Sequence, residues 1–302
     1  MTELNYYLLD VFTDTPFGGN PLAVFPNGDG ISTESMQKIA NELNLSETTF
    51  IQSAMTSESD CTVRIFTPLR ELPMAGHPTL GTAYTILKHG LLHPKSGNSL
   101  LFDEGIGPIR VDFKSTNPEP IGLMMHQPLP EFADTLDSET IAGLLSLNPQ
   151  DLDGDLPIQI VSCGVPFIIV PLCSLEAIKR ASLKLSLADE KLSGIECREF
   201  FLFTEETVDP ESDLHCRMFA PRFGVPEDPA TGSAHGPLGC YLYQHGRWKG
   251  KPMTSEQGIE LGRPSKIRFS IVTRDDKITD VQVGGDAIQI GKGSIHSQAL
   301  RI

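Results

Sequence analysis

Two segments of the chain carry the same pattern of apolar and polar positions, which predicts a short strand followed by a helix. In the first segment, residues 63–66 alternate and predict a strand that stops before Pro68. A helix is predicted next, from an apolar stripe with the spacing i, i+3, i+4, i+7: Leu80, Ala83, Tyr84 and Leu87. Gly90 is placed to end this helix. The second segment has the corresponding stripe at Leu238, Tyr241 and Leu242 and closes at Gly246, while Pro237 leaves the start of its helix open.

The two segments also match residue by residue. Residues 64–68 (RIFTP) correspond to residues 217–221 (RMFAP), and both segments end in the dipeptide His-Gly. The glycines that bound the two helical parts have the same spacing of 14 positions: Gly76 to Gly90, and Gly232 to Gly246. The chain is therefore predicted to be a duplication of one structural unit.

Neither predicted helix carries a formal charge before Lys88 or Arg247. A helix that is uncharged on all sides is usually buried on all sides. Each helix also contains a glycine, Gly81 or Gly239, which costs about 1 kcal/mol relative to alanine. Close packing against a surrounding sheet is one reason to accept that cost. The pattern therefore predicts an α+β fold in which a sheet wraps around a central helix, made twice.

The division between the two lobes is expected at a polar stretch with two prolines, from Lys114 to Pro120. This places the N-terminal lobe at residues 1–117 and the C-terminal lobe at residues 118–285. The closing Gly-Gly turn at 284–285 lies between two short alternating runs, as in a final hairpin. The C-terminal strand, at about residues 286–302, is a candidate to complete the N-terminal lobe.

Composition and charge narrow the function. The 302-residue chain has a formal net charge of −15, which disfavours binding to nucleic acid or to an anionic membrane. No signal peptide or membrane-spanning apolar stretch is recognised, and the six cysteines form no CxxC pair, so a reduced, cytoplasmic protein is expected. The eight histidines show no metal-ligand spacing, and the common nucleotide, zinc-protease and hydrolase motifs are absent. We expect no metal and no cofactor.

The starts of the two predicted helices are candidate anion sites. A helix that begins at a glycine exposes unpaired backbone N–H groups, and the helix dipole adds partial positive charge there. Gly76-His77 and Gly232-Ser233 both fit this description. Glycine before a helix and serine as an N-cap are also common structural features. Two such starts at matched positions of a duplicated chain favour a binding role, for a carboxylate or a phosphate.

The candidate chemical groups near these starts are Glu47, His77, Asp228 and Ser233. Glu47 follows a predicted helix that ends near residues 44–46, and a solvated glutamate is the alternative there. His77 lies in the first turn of a buried helix, which disfavours its charged form. Asp228 precedes a proline, and an ordinary turn explains it equally well. His235 is a further polar group near the second start, but nothing in the sequence singles it out.

The chain resembles the PhzF family of phenazine-biosynthesis-type isomerases, within the diaminopimelate epimerase superfamily. The resemblance runs nearly end to end through motifs in the same order: residues 10–13 (DVFT), 19–24 (GNPLAV), 45–48 (LSET), 64–68 (RIFTP), 75–83 (AGHPTLGTA), 164–166 (GVP), 227–234 (EDPATGSA), 257–258 (QG) and 262–265 (GRPS). It implies two pseudo-symmetric lobes, each a mostly antiparallel sheet curled around one helix. It further implies an active site in the cleft between the lobes and, commonly, a homodimer.

The resemblance also implies the roles of the candidate residues. Glu47 matches the carboxylate that PhzF-type members use as a single acid and base, while His77 and Asp228 would orient the substrate. Backbone amides would hold the substrate carboxylate: those of Gly76, Gly232 and Ser233. The superfamily's epimerases carry two cysteines at positions that here hold Gly76 and Ser233, which argues against two-thiol epimerisation.

The leading hypothesis is therefore a cofactor-independent isomerase that moves a proton on a small, carboxylate-bearing substrate, amino acid-like or cyclic. Two alternatives stay open. One is a protein that binds a small carboxylate without catalysis. The other is an amino-acid epimerase or racemase.

Overall fold

The protein is described here from a computed structural model that covers residues 3–116 and 119–296. The chain divides into two compact units, one of residues 1–127 with 282–302 and the other of residues 128–281. We call them unit 1 and unit 2. No helix in the described ranges is long and apolar enough to cross a membrane.

Unit 1 begins with eight strands and two helices. In chain order these are β1 (Glu3–Val11), β2 (Asn20–Phe25), α1 (Thr33–Leu43), β3 (Glu47–Gln52), β4 (Cys61–Phe66), β5 (Glu71–Leu72), α2 (Gly76–His89), β6 (Ser99–Glu104), β7 (Gly107–Asp112) and β8 (Leu123–Gln127). Helix α2 forms where the apolar spacing predicts it, and α1 buries Met36, Ile39 and Ala40.

Unit 2 follows with the same alternation of strands and helices. Its elements are β9 (Glu131–Thr135), α3 (Ser138–Leu144), β10 (Gln159–Ser162), β11 (Pro166–Pro171), α4 (Leu175–Arg180), α5 (Leu185–Lys191), β12 (Phe200–Thr204), β13 (Leu214–Ala220), β14 (Val225–Asp228), α6 (Gly232–Gln244), β15 (Met253–Gln257), β16 (Ser265–Arg274) and β17 (Lys277–Gly285), whose last residues count with unit 1. The final strand, β18 (Ala287–His296), belongs to unit 1.

The strand pairings of the two units are the same. In unit 1, β1 is antiparallel to β18 and to β2, β2 is parallel to β3, and β3 is antiparallel to β4. Then β4 runs parallel to β6, which is antiparallel to β7. Unit 2 repeats every one of these directions in the order β9, β10, β11, β12, β13, β15 and β16. The strand β18 therefore has the place in unit 1 that β9 has in unit 2.

Each unit holds one buried helix against its strands. Helix α2 is buried from Gly76 to Ile86 and packs against β1, β2, β3 and β8. Helix α6 is buried from Gly232 to Leu242 and packs against β10, β11 and β16. The charge-free stretches of the sequence thus correspond to burial on all sides, and the mixed α+β architecture agrees with the expected sheet around a central helix.

Between β7 and β8 of unit 1, residues 114 and 115 are hydrogen-bonded to residue 121 through the backbone. Lys114 N–H donates to the carbonyl of Ile121 over 2.9 Å, and Ile121 N–H donates to the carbonyl of Ser115 over 3.0 Å. The lobe boundary expected in this polar, proline-containing stretch stays a prediction, because turns and linkers share that composition. The expected boundary itself, between Asn117 and Pro118, lies outside the described residues, as do the last residues of the expected C-terminal strand, 297–302.

Candidate active site

Glu47 is placed by the end of α1 and the start of β3. Asn44 ends the helix in the left-handed conformation (φ 50°), and its N–H donates to the carbonyl of Ala40. Three residues later Glu47 begins β3, opposite Leu22 in the parallel pairing of β2 with β3. From Thr48 to Ile51 the strand is buried, whereas the Glu47 side chain keeps 12% of its surface exposed. The carboxylate therefore stands at the edge of the packed sheet, where solvent or a small molecule can reach it.

His77 lies beside Glu47. It is the second residue of α2, and its Nε2 atom lies 3.2 Å from Oε2 of Glu47, in a contact that does not have the geometry of a hydrogen bond. Burial lowers the pKa of His77 to about 3, since only 3% of its side chain is exposed. The imidazole is consequently neutral near pH 7, as the sequence indicated. It can donate one hydrogen bond and accept another, but it carries no positive charge that would pair with the neighbouring carboxylate.

The start of α6 in unit 2 carries Asp228 and Ser233. Thr231 is the N-cap residue, and its hydroxyl donates to Oδ2 of Asp228 over 2.6 Å. Gln257 holds this turn at two points, because its Oε1 accepts from Thr231 N–H over 3.0 Å and its Nε2 donates to the Asp228 carbonyl over 2.7 Å. Gly258 then turns with φ +77° against the carbonyl of Pro229, where a Cβ would lie only 2.5 Å away. Contacts from Gln257, at the end of strand β15, and from the following Gly258 therefore hold the Asp228-Pro229 turn in place.

The two helix starts share a further property. The N-cap residues Ala75 and Thr231 make no side-chain capping hydrogen bond to their helices. Ser233, an N-cap candidate in the sequence, is the second residue of α6. Neither start is therefore capped in the usual way by serine, threonine, aspartate or asparagine.

His235 serves the packing of unit 2. Its Nδ1 atom lies 2.8 Å from the carbonyl of Thr231, its Nε2 atom contacts the hydroxyl of Ser255, and its ring lies between Phe201 and Phe269. Burial lowers its pKa to about 4. This residue is a core histidine whose ring nitrogens both have partners, and such a packing role leaves no local sequence signal.

Sequence reasoning missed Glu104, a buried carboxyl group that contacts the first turn of α2 through Thr79. In the sequence it precedes a glycine at the end of a short strand and resembles an exposed turn residue. The comparison that could have found it is the duplication itself, because Gln257 has the matching place in unit 2.

Neither helix start contains a cysteine. All six cysteines are free thiols, and none of them lies at residues 76–77 or 232–233. Cys163 and Cys240 approach each other to 3.9 Å inside unit 2. Among the residues that the structure describes, no group of three or more His, Cys, Asp or Glu side chains could hold a metal ion.

Comparison with known proteins relates this chain to one family over almost its whole length. A model of the PhzC-PhzF family, described as phenazine biosynthesis-like protein, matches residues 9–293. A protein of Pseudomonas fluorescens named trans-2,3-dihydro-3-hydroxyanthranilate isomerase is 35% identical over 292 residues, which cover 96% of this chain and 99% of that protein. The crystal structure of a PhzF-family phenazine biosynthesis protein of Bacillus anthracis superimposes with a TM-score of 0.87, at 28% identity, covering 98% of this chain and 99% of that one. A hydroxyproline epimerase of Agrobacterium vitis shares the fold, with a TM-score of 0.67 at 11% identity over 98% of this chain and 94% of that one.

Proposed function

The chain belongs to the PhzC-PhzF family of phenazine biosynthesis-like proteins and is an isomerase, and on that premise we propose that it moves a proton within a small carboxylate-bearing substrate. Glu47 is the single acid and base of this proposal. The observation that carries it is the pairing of a partly exposed carboxylate with a buried, neutral imidazole 3.2 Å away.

The proposed reaction has two proton transfers. The Glu47 carboxylate takes a proton from a carbon next to the substrate's unsaturated system, so that a C–H bond breaks and an O–H bond forms. The electron pair moves into the conjugated system, and Glu47 returns the proton to another carbon of the same molecule. Nothing is oxidised or reduced overall, so the reaction needs no electron carrier. General acid–base catalysis of this kind contributes typically ~10² to 10⁴-fold.

His77 supports this chemistry through its neutrality. An imidazolium at 3.2 Å would hold Glu47 as half of an ion pair and weaken it as a base. The neutral ring instead offers one N–H donor and one acceptor, which we propose orient a polar group of the substrate.

The binding groups of the proposal are the two helix starts. N–H groups of a first helical turn favour an anion, and in this protein neither N-cap side chain competes for them. We assign the substrate carboxylate to backbone amides of Gly76, Gly232 and Ser233. Asp228, held by Thr231 and Gln257, is assigned to an amino or hydroxyl group of the substrate.

The test is solvent-deuterium incorporation followed by proton NMR, with trans-2,3-dihydro-3-hydroxyanthranilate as the probe substrate because a relative is named for it. Glu47→Gln should lower incorporation at least ~10²-fold, the lower end of general-base catalysis. Glu34→Gln is the matched control, since the Glu34 side chain is exposed and forms an ion pair with Lys38 one turn away on α1. Undiminished exchange in Glu47→Gln would exclude Glu47 as the base.

The same assay separates the alternatives. A non-catalytic binding protein would bind the probe in calorimetry, while the unmodified chain would show no exchange. An amino-acid epimerase would exchange a Cα proton with loss of optical activity, which polarimetry detects.

A further inference from the structure

Glu104, at the end of β6, is a buried carboxyl group that the proposed chemistry does not use. Only 4% of the surface of Glu104 is exposed, and its Oε1 atom lies 2.6 Å from Oγ1 of Thr79. Its other oxygen, Oε2, is buried and has no hydrogen-bond partner among the described residues. Thr79 lies in the first turn of α2, two positions after His77. Glu104 therefore contacts the start of α2 through the Thr79 hydroxyl.

The hydrogen bonds around Thr79 require one more proton than an ionised Glu104 can supply. The Thr79 hydroxyl oxygen lies 2.6 Å from the Ala75 carbonyl and 2.6 Å from Glu104 Oε1. A carbonyl and a carboxylate only accept, whereas a hydroxyl has a single proton. If Glu104 were ionised, one of these two short oxygen–oxygen contacts would contain no proton. If Glu104 is protonated, it donates to Thr79, and Thr79 donates to Ala75.

The duplication provides an independent observation. Glu104 follows the β6 residue that pairs with Thr62 of β4, and Gln257 follows the β15 residue that pairs with His215 of β13. Thr62 and His215 each precede the repeated RIFTP or RMFAP segment by two positions. Glu104 and Gln257 therefore occupy matching places in the two units.

In unit 2 this place is filled by a hydrogen-bond donor that cannot ionise. The Gln257 amide donates to the Thr231 hydroxyl over 3.0 Å and to the Asp228 carbonyl over 2.7 Å, at the start of α6. A protonated Glu104 would be the equivalent donor at the start of α2.

We propose that Glu104 is a positioning residue: as a neutral acid it donates a hydrogen bond to Thr79 and thereby fixes the Ala75–His77 start of α2. The effect of Glu104 on catalysis rests on the proposed function of Gly76 and His77. The protonation state of Glu104 is independent of that proposed function.

The surroundings of Glu104 support this state. Burial raises the pKa of Glu104 to about 8, against a smaller lowering by the hydrogen bond with Thr79. Two titratable groups adjoin it, Cys61 and Asp103, and a third, His77, lies two positions before its partner Thr79. The Cys61 thiol is neutral, because burial and then the nearby carboxylates raise its pKa. Asp103 accepts hydrogen bonds from the loop at residues 55–59, and His77 is neutral. None of these three groups supplies a positive charge that would ionise Glu104.

The first experiment reads protonation without any substrate. Infrared spectra of the wild type minus Glu104→Gln should contain the carbonyl band of a protonated carboxyl group at about pH 6, lost as pH rises through about 8. A difference spectrum with only an ionised carboxylate at about pH 6 would overturn the proposal. This result is independent of whether Glu47 is the catalytic base.

The second experiment reads positioning, with the exchange assay measured against pH. As Glu104 ionises above about pH 8, the exchange rate of the wild type should decline. Glu104→Gln keeps a donor and should retain exchange within about threefold, without this alkaline decline. Glu104→Leu removes the donor and should lose roughly tenfold or more, mainly in kcat. Gln257→Glu is the matched variant in unit 2 and should introduce an alkaline decline of its own. An unchanged alkaline decline in Glu104→Gln refutes the positioning role, even if Glu104→Leu fails to fold.

Discussion

Gly81→Ala tests how tightly the central helix of unit 1 is packed. A Cβ at this position would lie 2.4 Å from Cδ2 of Leu22 and 2.9 Å from Cγ2 of Val11. Both neighbours are fully buried, and the β-branched Val11 has little rotamer freedom, so neither can turn away into solvent. Alanine gains about 1 kcal/mol in helix propensity, while overpacking a core costs about 1–3 kcal/mol. We expect the variant to lose up to about 2 kcal/mol of unfolding free energy.

The assay is urea unfolding followed by circular dichroism, with the slope against urea compared between variants. Gly143→Ala, inside α3, is the control because no atom lies within 4 Å of its added Cβ. That variant should gain up to about 1 kcal/mol from helix propensity alone. If Gly81→Ala were stabilised as much as Gly143→Ala, the contact with β1 and β2 could not be the reason for the glycine. Because Leu22 is opposite Glu47 in the β2–β3 pairing, we also expect Gly81→Ala to slow the exchange reaction.

Two further predictions concern buried charges. Arg217→Met should cost about 3–5 kcal/mol in urea unfolding, because Arg217 is buried against a carboxylate and three backbone carbonyls. Arg64, the matching residue of unit 1, forms a more exposed ion pair, so Arg64→Met should cost less than about 1 kcal/mol. Equal losses in the two variants would contradict this reasoning. Burial alone would lower the pKa of His215, but hydrogen bonds to Glu260 and Glu256 outweigh it and raise the pKa. A histidine with a raised pKa stabilises the fold below its unfolded pKa of about 6.5, and this contribution is lost as pH rises through the folded pKa. The stability lost in His215→Gln should therefore be greatest below about pH 6.5, and a loss that grows toward alkaline pH would be inconsistent with the ion-pair network.

Much of the fold could be predicted from periodicity and from the duplication. The helix of residues 76–89 was expected from its apolar stripe, its lack of charge and Gly90, and the structure ends it with Gly90 in the left-handed conformation. In unit 2 the start was uncertain because of Pro237, which lies inside α6. The repeated segments predict that the strand before the first helix corresponds to the strand before the second, and in the structure these are β4 and β13, with the same pairing directions.

Other features depend on contacts that a single sequence does not contain. Residues 114 and 115 are joined to residue 121 by backbone hydrogen bonds, and backbone groups are the same in every sequence. The neutrality of Glu104 depends on burial from all sides together with a hydroxyl that is already donating elsewhere. The proximity of Glu47 and His77 depends on how α2 packs against β3, and their spacing of thirty residues gives no local signal.

The pairing of β1 with β18 has a consequence for how the chain is made. Ribosomal synthesis produces β1 early, but its partner emerges only after all of unit 2 has been synthesised. Unit 2 is continuous in sequence and can fold during translation, whereas unit 1 keeps one edge of β1 unpaired until β18 has been synthesised. An unpaired edge is a template for association with other chains. We therefore expect nascent chains and C-terminal truncations that end before residue 287 to aggregate through unit 1, and to depend on chaperones more than the completed protein does.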